Sequence, residues 1–169
     1  IAVLLRSPGR RANQYVDILA QCGIPAQAEL SKGYFGATEV TVLLSLLQAL
    51  DNPEQDIPLA AVMHSEIGGF SAHELAAIRL AGGDGPLHQA CRAAVQAPPD
   101  EAALLTPALQ KRLARFLDTL DDWRTQARRR PLSDLIWRIL QESGYLDVVS
   151  VMPGGAQRRA NLEQLLNLA

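Results

Sequence analysis

The sequence predicts a mainly α protein, a helical domain with a short N-terminal strand–helix–strand α/β piece. Three observations carry that expectation. From residue 38 onward, apolar residues recur three and four positions apart, the period of an amphipathic helix. Proline and glycine clusters cut this stretch into helix-length pieces. The opening run Ile1-Ala2-Val3-Leu4-Leu5 is apolar throughout and too short for a helix, which suits a buried strand.

The elements follow in order. After the strand, Ala12 to Gln21 reads as a helix with Tyr15, Ile18 and Leu19 on one face, and Gly23 is placed to stop it. Ile24-Pro25 restarts the chain in an extended conformation, and Ala26 to Leu30 is a candidate second strand. Thr38 to Leu50 is a helix through Val40, Leu43, Leu44 and Leu47, ended by Asp51-Asn52-Pro53. Asp56 is the expected cap of a short helix from Pro58 to His64.

Ser71-Ala72-His73-Glu74 matches a capping box, in which serine and glutamate side chains reciprocally bond each other's backbone amides. Its helix runs to about Leu80, before Gly82-Gly83-Asp84-Gly85. Pro86 opens another, stopped at Pro98-Pro99. Thr106-Pro107 begins the longest helix, to about Arg129, with a stripe from Leu109 through Trp123 to Ala127. Pro131 breaks it. A helix carrying Leu135, Ile136, Ile139 and Leu140 ends at Gly144. Tyr145 to Met152 fits a short helix or a strand. After the turn Pro153-Gly154-Gly155, Ala156 to Ala169 forms a last helix burying Leu162, Leu165 and Leu166.

Composition narrows the function classes. Apolar residues make up 48% of the chain, enough for a real core, and charged residues 20%, so the chain is not of the disordered class. The net charge of −2 disfavours bulk electrostatic binding of nucleic acid, so any such contact must be local. Local basic clusters exist: Arg6 with Arg10 and Arg11, Arg124 with Arg128 to Arg130, and Arg158 with Arg159. No apolar run approaches the about 20 residues of a membrane span, and a cytoplasmic location is expected. Cys22 and Cys91 lie among apolar residues and read as reduced, buried thiols. Ile1 lies inside an apolar run and Asn161 to Ala169 reads as an unfinished helix, so a piece of a longer protein is expected.

No G-x-x-x-x-G-K-[ST] loop is present, so no phosphate cradle of that type is expected. Asp100-Glu101 follows two prolines rather than an apolar strand, which makes it a poor magnesium-holding pair. His64, His73 and His88 lack partners at zinc-ligand spacing. His64 and His88 are expected on helix surfaces or partly buried, and His73 exposed. No catalytic residue and no metal site is expected in this chain.

The most suggestive local feature is Ile67-Gly68-Gly69-Phe70-Ser71. Glycines permit a sharp turn and close approach to another molecule, and the helix start beyond them offers unpaired amides. Gly68, Gly69, Phe70 and Ser71 are thus candidate DNA-binding residues, clamping one phosphate; the alternative is a tight structural turn.

The order of motifs resembles the UvrD-like superfamily I helicases. Ile1-Ala2-Val3-Leu4-Leu5-Arg6-Ser7, Gly23-Ile24-Pro25, Gly33-Tyr34-Phe35 and Thr38-Glu39-Val40 look like that family's successive blocks. Asp51-Asn52-Pro53, Gln55 to Leu59, Leu132 to Trp137, Glu142 to Tyr145 and Gln157 to Leu162 are similar to its AddA branch, the helicase–nuclease subunits of bacterial AddAB complexes. The resemblance implies a fragment: residues 1–50 the start of RecA-like motor domain 2A, and 51–169 part of the helical accessory domain 2B.

It further implies a parent enzyme using ATP and magnesium outside this chain, acting on single-stranded and duplex DNA in recombinational break repair beside an AddB-type subunit. In that family a glycine hairpin of 2B touches duplex DNA, and Gly68-Gly69 takes its place here. The relatives read glycine–isoleucine–glycine after a basic residue, whereas Glu66 precedes Ile67 here and the first glycine is missing. Arg6 either contacts single-stranded DNA or pairs a carboxylate at the strand end. Tyr34 and Phe35 either stack on bases or fill the junction between domains. The competing reading is a helical protein-interaction module that docks a partner subunit without touching DNA.

Overall fold

The computed structural model describes Tyr15, Ile18, Leu19 and residues 21–26, 34–98 and 105–169. The chain forms two compact units, Ile1–Ala37 and Thr38–Ala169. In the first, Tyr15, Ile18, Leu19 and Gln21 are helical. Gly23, at φ +72°, ends this turn, with the amide of Ile24 donating back to Leu19 O at 2.9 Å. Tyr34–Gly36 is a 3₁₀ turn whose two rings meet edge to face at 5.0 Å. The strands expected over 1–5 and 27–30 lie outside the described residues, and Ala26 is irregular.

The second unit is helical, as the periodicity predicts, and no strand occurs among the described residues. Its helices are α1 (Thr38–Asp51), α2 (Asp56–His64), α3 (Ala72–Gly82), α4 (Leu87–Gln96), α5 (Pro107–Ala127), α6 (Leu132–Ser143), α7 (Tyr145–Val151) and α8 (Gly155–Leu168). The segment from Tyr145 is thereby helical through Val151, and Met152 is extended. Helix α1, which the resemblance assigns to the motor piece, packs on α2, α5 and α8 of this unit.

The core follows from the apolar stripes. Val40, Leu43 and Leu46 of α1 are fully buried, as are Leu113 of α5, Ile139 of α6 and Leu162 of α8. Each such side chain contributes roughly 1.5–3 kcal/mol by leaving water. On α5 the stripe holds from Leu109 to Trp123, but Ala127 is exposed, because α5 ends there. Leu166 of α8 is half-buried.

Polar side chains then lock helices together. Arg124 of α5 donates to Leu50 O at 3.1 Å and Ala49 O at 3.3 Å, capping the C-terminal carbonyls of α1. Trp123 Nε1 of α5 donates to Glu142 Oε2 of α6 at 2.7 Å. Helices α3 and α4 approach so closely that a Cβ on Gly82 would collide with the backbone of Ala90.

One expected cap lies elsewhere. Asp56 is the first residue of α2, whose N-cap is Gln55 without a side-chain bond. Its carboxylate instead accepts from the amide of Leu87, at 2.7 Å, at the start of α4. Helix α4 begins after Pro86, which has no capping side chain, so a carboxylate from α2 satisfies that end.

Candidate nucleic-acid interface

The glycine hairpin joins α2 to α3 and is held by its own backbone. Helix α2 ends at Ser65, whose hydroxyl donates to Val62 O at 2.7 Å and accepts from the amide of Ile67 at 3.2 Å. The amide of Gly69 donates to Ser65 O at 2.7 Å, and that of Phe70 to Met63 O at 2.9 Å. This fold-back needs both glycines, for different reasons. A Cβ on Gly68 would fall 2.5 Å from Met63 O, so no side chain fits. Gly69 sits at φ +67° with open space around its missing side chain, so its requirement is conformational.

The candidate residues divide accordingly. Gly69 and Ser71 are exposed and Gly68 is half-buried. Phe70 is 1% exposed and belongs to the core, its ring edge-on to Phe116 at 5.5 Å. An apolar ring two residues past the turn packs inward because the turn points it at α5. Arg6 lies outside the described residues.

The helix start beyond the hairpin is already filled. Ser71 Oγ accepts from the Glu74 amide at 3.2 Å, and Glu74 Oε2 accepts from the Ser71 amide at 2.8 Å, completing the expected capping box. Glu74 also pairs with Arg112 of α5 at 2.7 Å. The bond from the Ser71 amide, and then Arg112, hold its carboxyl below the usual carboxylate range. Arg112 in turn lies over the Phe70 ring, 4.6 Å from its centroid, a cation–π contact. Sequence reasoning missed Arg112, because nothing local couples it to a turn forty residues earlier.

The remaining chemistry-bearing residues stay dispersed. His64 is exposed, with Nδ1 3.0 Å from Phe70 O, and His73 is exposed. His88 is half-buried; burial, and then the charges of Arg92 and Arg124, push it below its ordinary value. Among the described residues no three histidine, cysteine, aspartate or glutamate side chains gather in a metal-holding cluster, and Asp100 and Glu101 lie outside them.

Cys91 is buried, as expected, and burial raises its thiol to about 12. Cys22 is exposed instead, because it follows the last helical turn rather than facing a core. Phe35 is 61% exposed, and burial pushes the Tyr34 hydroxyl up. No helix among the described residues is long and apolar enough to cross a membrane.

Comparison with known proteins supplies what the geometry does not. The chain is 46% identical over all 169 residues to AddA, the ATP-dependent helicase/nuclease subunit, of Anoxybacillus flavithermus. It is 48% identical over 165 residues to that of Pelotomaculum thermopropionicum, and 46% identical over 169 to that of Geobacillus kaustophilus. These matches take in 98–100% of this chain but only 12–13% of each relative's length. No family model matches the chain.

Proposed function

The chain matches, over its whole length, one segment of the AddA proteins, which are ATP-dependent helicase/nuclease subunits, and from that premise we propose that it is a non-catalytic accessory segment that orients duplex DNA. The observation that carries the family reading is the 46% identity along all 169 residues. In the parent enzyme, ATP and magnesium bound elsewhere drive motor domains along single-stranded DNA during break repair. An AddB-type subunit stands beside it. This segment holds the duplex or passes motion to that partner.

Two features support an accessory role. Three carboxylates of the helical unit are committed to structure: Asp56 to the start of α4, Glu74 to a capping box, Glu142 to Trp123. The hairpin leaves Gly69 exposed on a turn braced by four hydrogen bonds, a rigid point that a DNA backbone can approach closely.

A second reading, docking of a partner protein, is favoured by exposed apolar side chains at Ile57, Leu80 and Val151. It is also favoured by the exposed Glu66 beside the hairpin, which repels phosphate.

Gly69→Asp and Gly69→Asn separate the two. Both residues tolerate the left-handed backbone, and only aspartate adds charge. Duplex affinity, measured by fluorescence anisotropy, is expected to drop at least about fivefold in the aspartate variant relative to the asparagine one, in keeping with ~1 kcal/mol for one screened charge. Equal affinities would assign the segment to partner docking. ATP turnover by the pure chain would remove the accessory reading altogether.

A further inference from the structure

Resting on the reading of a DNA-facing segment, we propose a second contact point: the cavity between α1, α5 and α6 seats one sugar–phosphate unit of the DNA backbone. The cavity measures 290 Å³. Its walls include Leu47, Leu50 and Leu132, with Arg124, Arg128 and Arg130 around them.

A run of unpaired arginines singles this place out. Elsewhere in the helical unit, Arg92 pairs with Asp121, Arg112 with Glu74, Arg138 with Glu142, Arg158 with Glu39 and Arg159 with Glu163, while Arg79 and Arg115, which pair with no carboxylate among the described residues, have no cationic neighbour in sequence. Arg128, Arg129 and Arg130 are consecutive and exposed, and among the described residues no carboxylate pairs with any of them. Arg130 donates to Gln126 Oε1 at 2.9 Å, a neutral partner. Arg124 is fixed in place by its bonds to α1, and its charge is already paired with Asp121 at 3.2 Å. Asp51 is the one carboxylate in the lining, so with Arg124 paired to Asp121 the excess positive charge of the lining rests on Arg128 and Arg130.

The linker carrying the arginines is preorganised. The amides of Arg129 and Arg130 both donate to Gln126 O, at 2.9 and 3.1 Å, and Pro131 fixes the chain beyond. Guanidinium groups match phosphate oxygens bidentately, and the leucine walls lower the local dielectric, which strengthens such a bond. Size selects the occupant. The cavity lies just under the about 300 Å³ at which small-ligand pockets begin, and a partner helix about 10 Å across does not enter it. A sugar–phosphate unit does, with the leucines against the sugar and the arginines on its phosphate.

The test compares Arg128→Gln/Arg130→Gln with Lys111→Gln/Arg115→Gln, which removes the same charge from exposed α5 positions outside the cavity. Circular dichroism melts establish that both fold. Binding of a fluorescein-labelled duplex to the 169-residue chain is followed from about 50 to 200 mM salt. The cavity variant is expected to lose about tenfold in affinity and to flatten the slope of log affinity against log salt by about 1, the loss of one phosphate contact.

The control variant is expected to lose less than about threefold, the screened effect of charges outside the site. Equal losses in the two variants, or none in the cavity variant, overturn the proposal. If that happens while Gly69→Asp still weakens binding, the DNA reading stands without this seat. If the unaltered chain binds no duplex, both fall. Polyglutamate that binds the chain and is lost in the cavity variant would then assign the arginines to an acidic protein partner.

Discussion

Glu39, near the start of α1, is 3% exposed, and Arg158 of α8 donates to its carboxylate at 2.9 Å. Asn161 Nδ2 donates to the other oxygen at 2.6 Å. The Tyr145 hydroxyl reaches Glu39 O at 3.5 Å. One buried carboxylate therefore ties the first helix of the unit to the last. Removing Arg158 strands that charge. Arg158→Met is expected to cost about 2 kcal/mol, below the 3–5 of a fully buried pair because the arginine keeps 30% of its side chain in solvent. Glu39→Gln/Arg158→Met should cost less than Arg158→Met alone, measured by urea unfolding. A double variant as unstable as the sum of the singles would refute the stranded-charge account.

Asp56 and Leu87 provide a test of capping across helices. Asp56→Ala removes the acceptor at the start of α4 and should cost about 1 kcal/mol. Asp56→Asn keeps an acceptor and should cost about half of that. Amide exchange should accelerate at Leu87 and its neighbours, and not along α2. Unchanged exchange there would show that the bond carries nothing.

The two hairpin glycines should behave differently. Gly68→Ala drives a methyl into the Met63 backbone, and an overpacking cost of about 3 kcal/mol is expected. Gly69→Ala meets no atom and pays only for its backbone conformation, about 1 kcal/mol. Thermal melts of the single variants decide. Equal destabilisation would contradict the close approach at Gly68.

Glu74 makes stability depend on pH in a stated direction. Its folded pKa is depressed, so its contribution is complete above the ordinary value of 4.5 and is lost as pH falls through the lower folded value. Glu74→Gln keeps the amide bond to Ser71 but not the charge toward Arg112. The variant should be less stable than the parent at pH 7, and the gap should close below pH 4.5. A gap that persists at low pH would mean that packing, rather than ionisation, distinguishes the two.

The cysteines should separate by reactivity. With its thiol raised to about 12 and its side chain 0% exposed, Cys91 should resist iodoacetamide until the chain unfolds. Cys22 is exposed and should react in the native state. Equal labelling of both under native conditions would contradict the buried position of Cys91.

What could be read in advance was local. The Ser71–Glu74 box lies within one helical turn, so its residues announce themselves. The buried faces of α5 and α6 follow from period alone, and that of α1 only in part, since Leu44 and Leu47 are half-buried while Leu46 and Leu50 join Val40 and Leu43 in the core. What escaped was set by pairings between distant segments. Asp56 reads as a cap for its own helix, and only folding delivers it to Leu87. Phe70 sits in a glycine-rich turn that suggests exposure, and only α5 supplies the apolar wall that buries it. Arg128 to Arg130 are visible as a cluster, but their neighbours Leu47 and Leu50 arrive from another helix. The family resemblance, by contrast, was carried by motif order and needed no geometry.

The bond between Trp123 and Glu142 has a spectroscopic consequence. The chain has two tryptophans, one 2% exposed and anchored by that bond, the other, Trp137, 48% exposed on α6. Their emission should separate by quenching: acrylamide reaches Trp137 first, while the shielded indole of Trp123 responds when α5 and α6 part. Trp137 is then a native reporter for anything that settles on α6, and Trp123 for the integrity of the bundle beneath it.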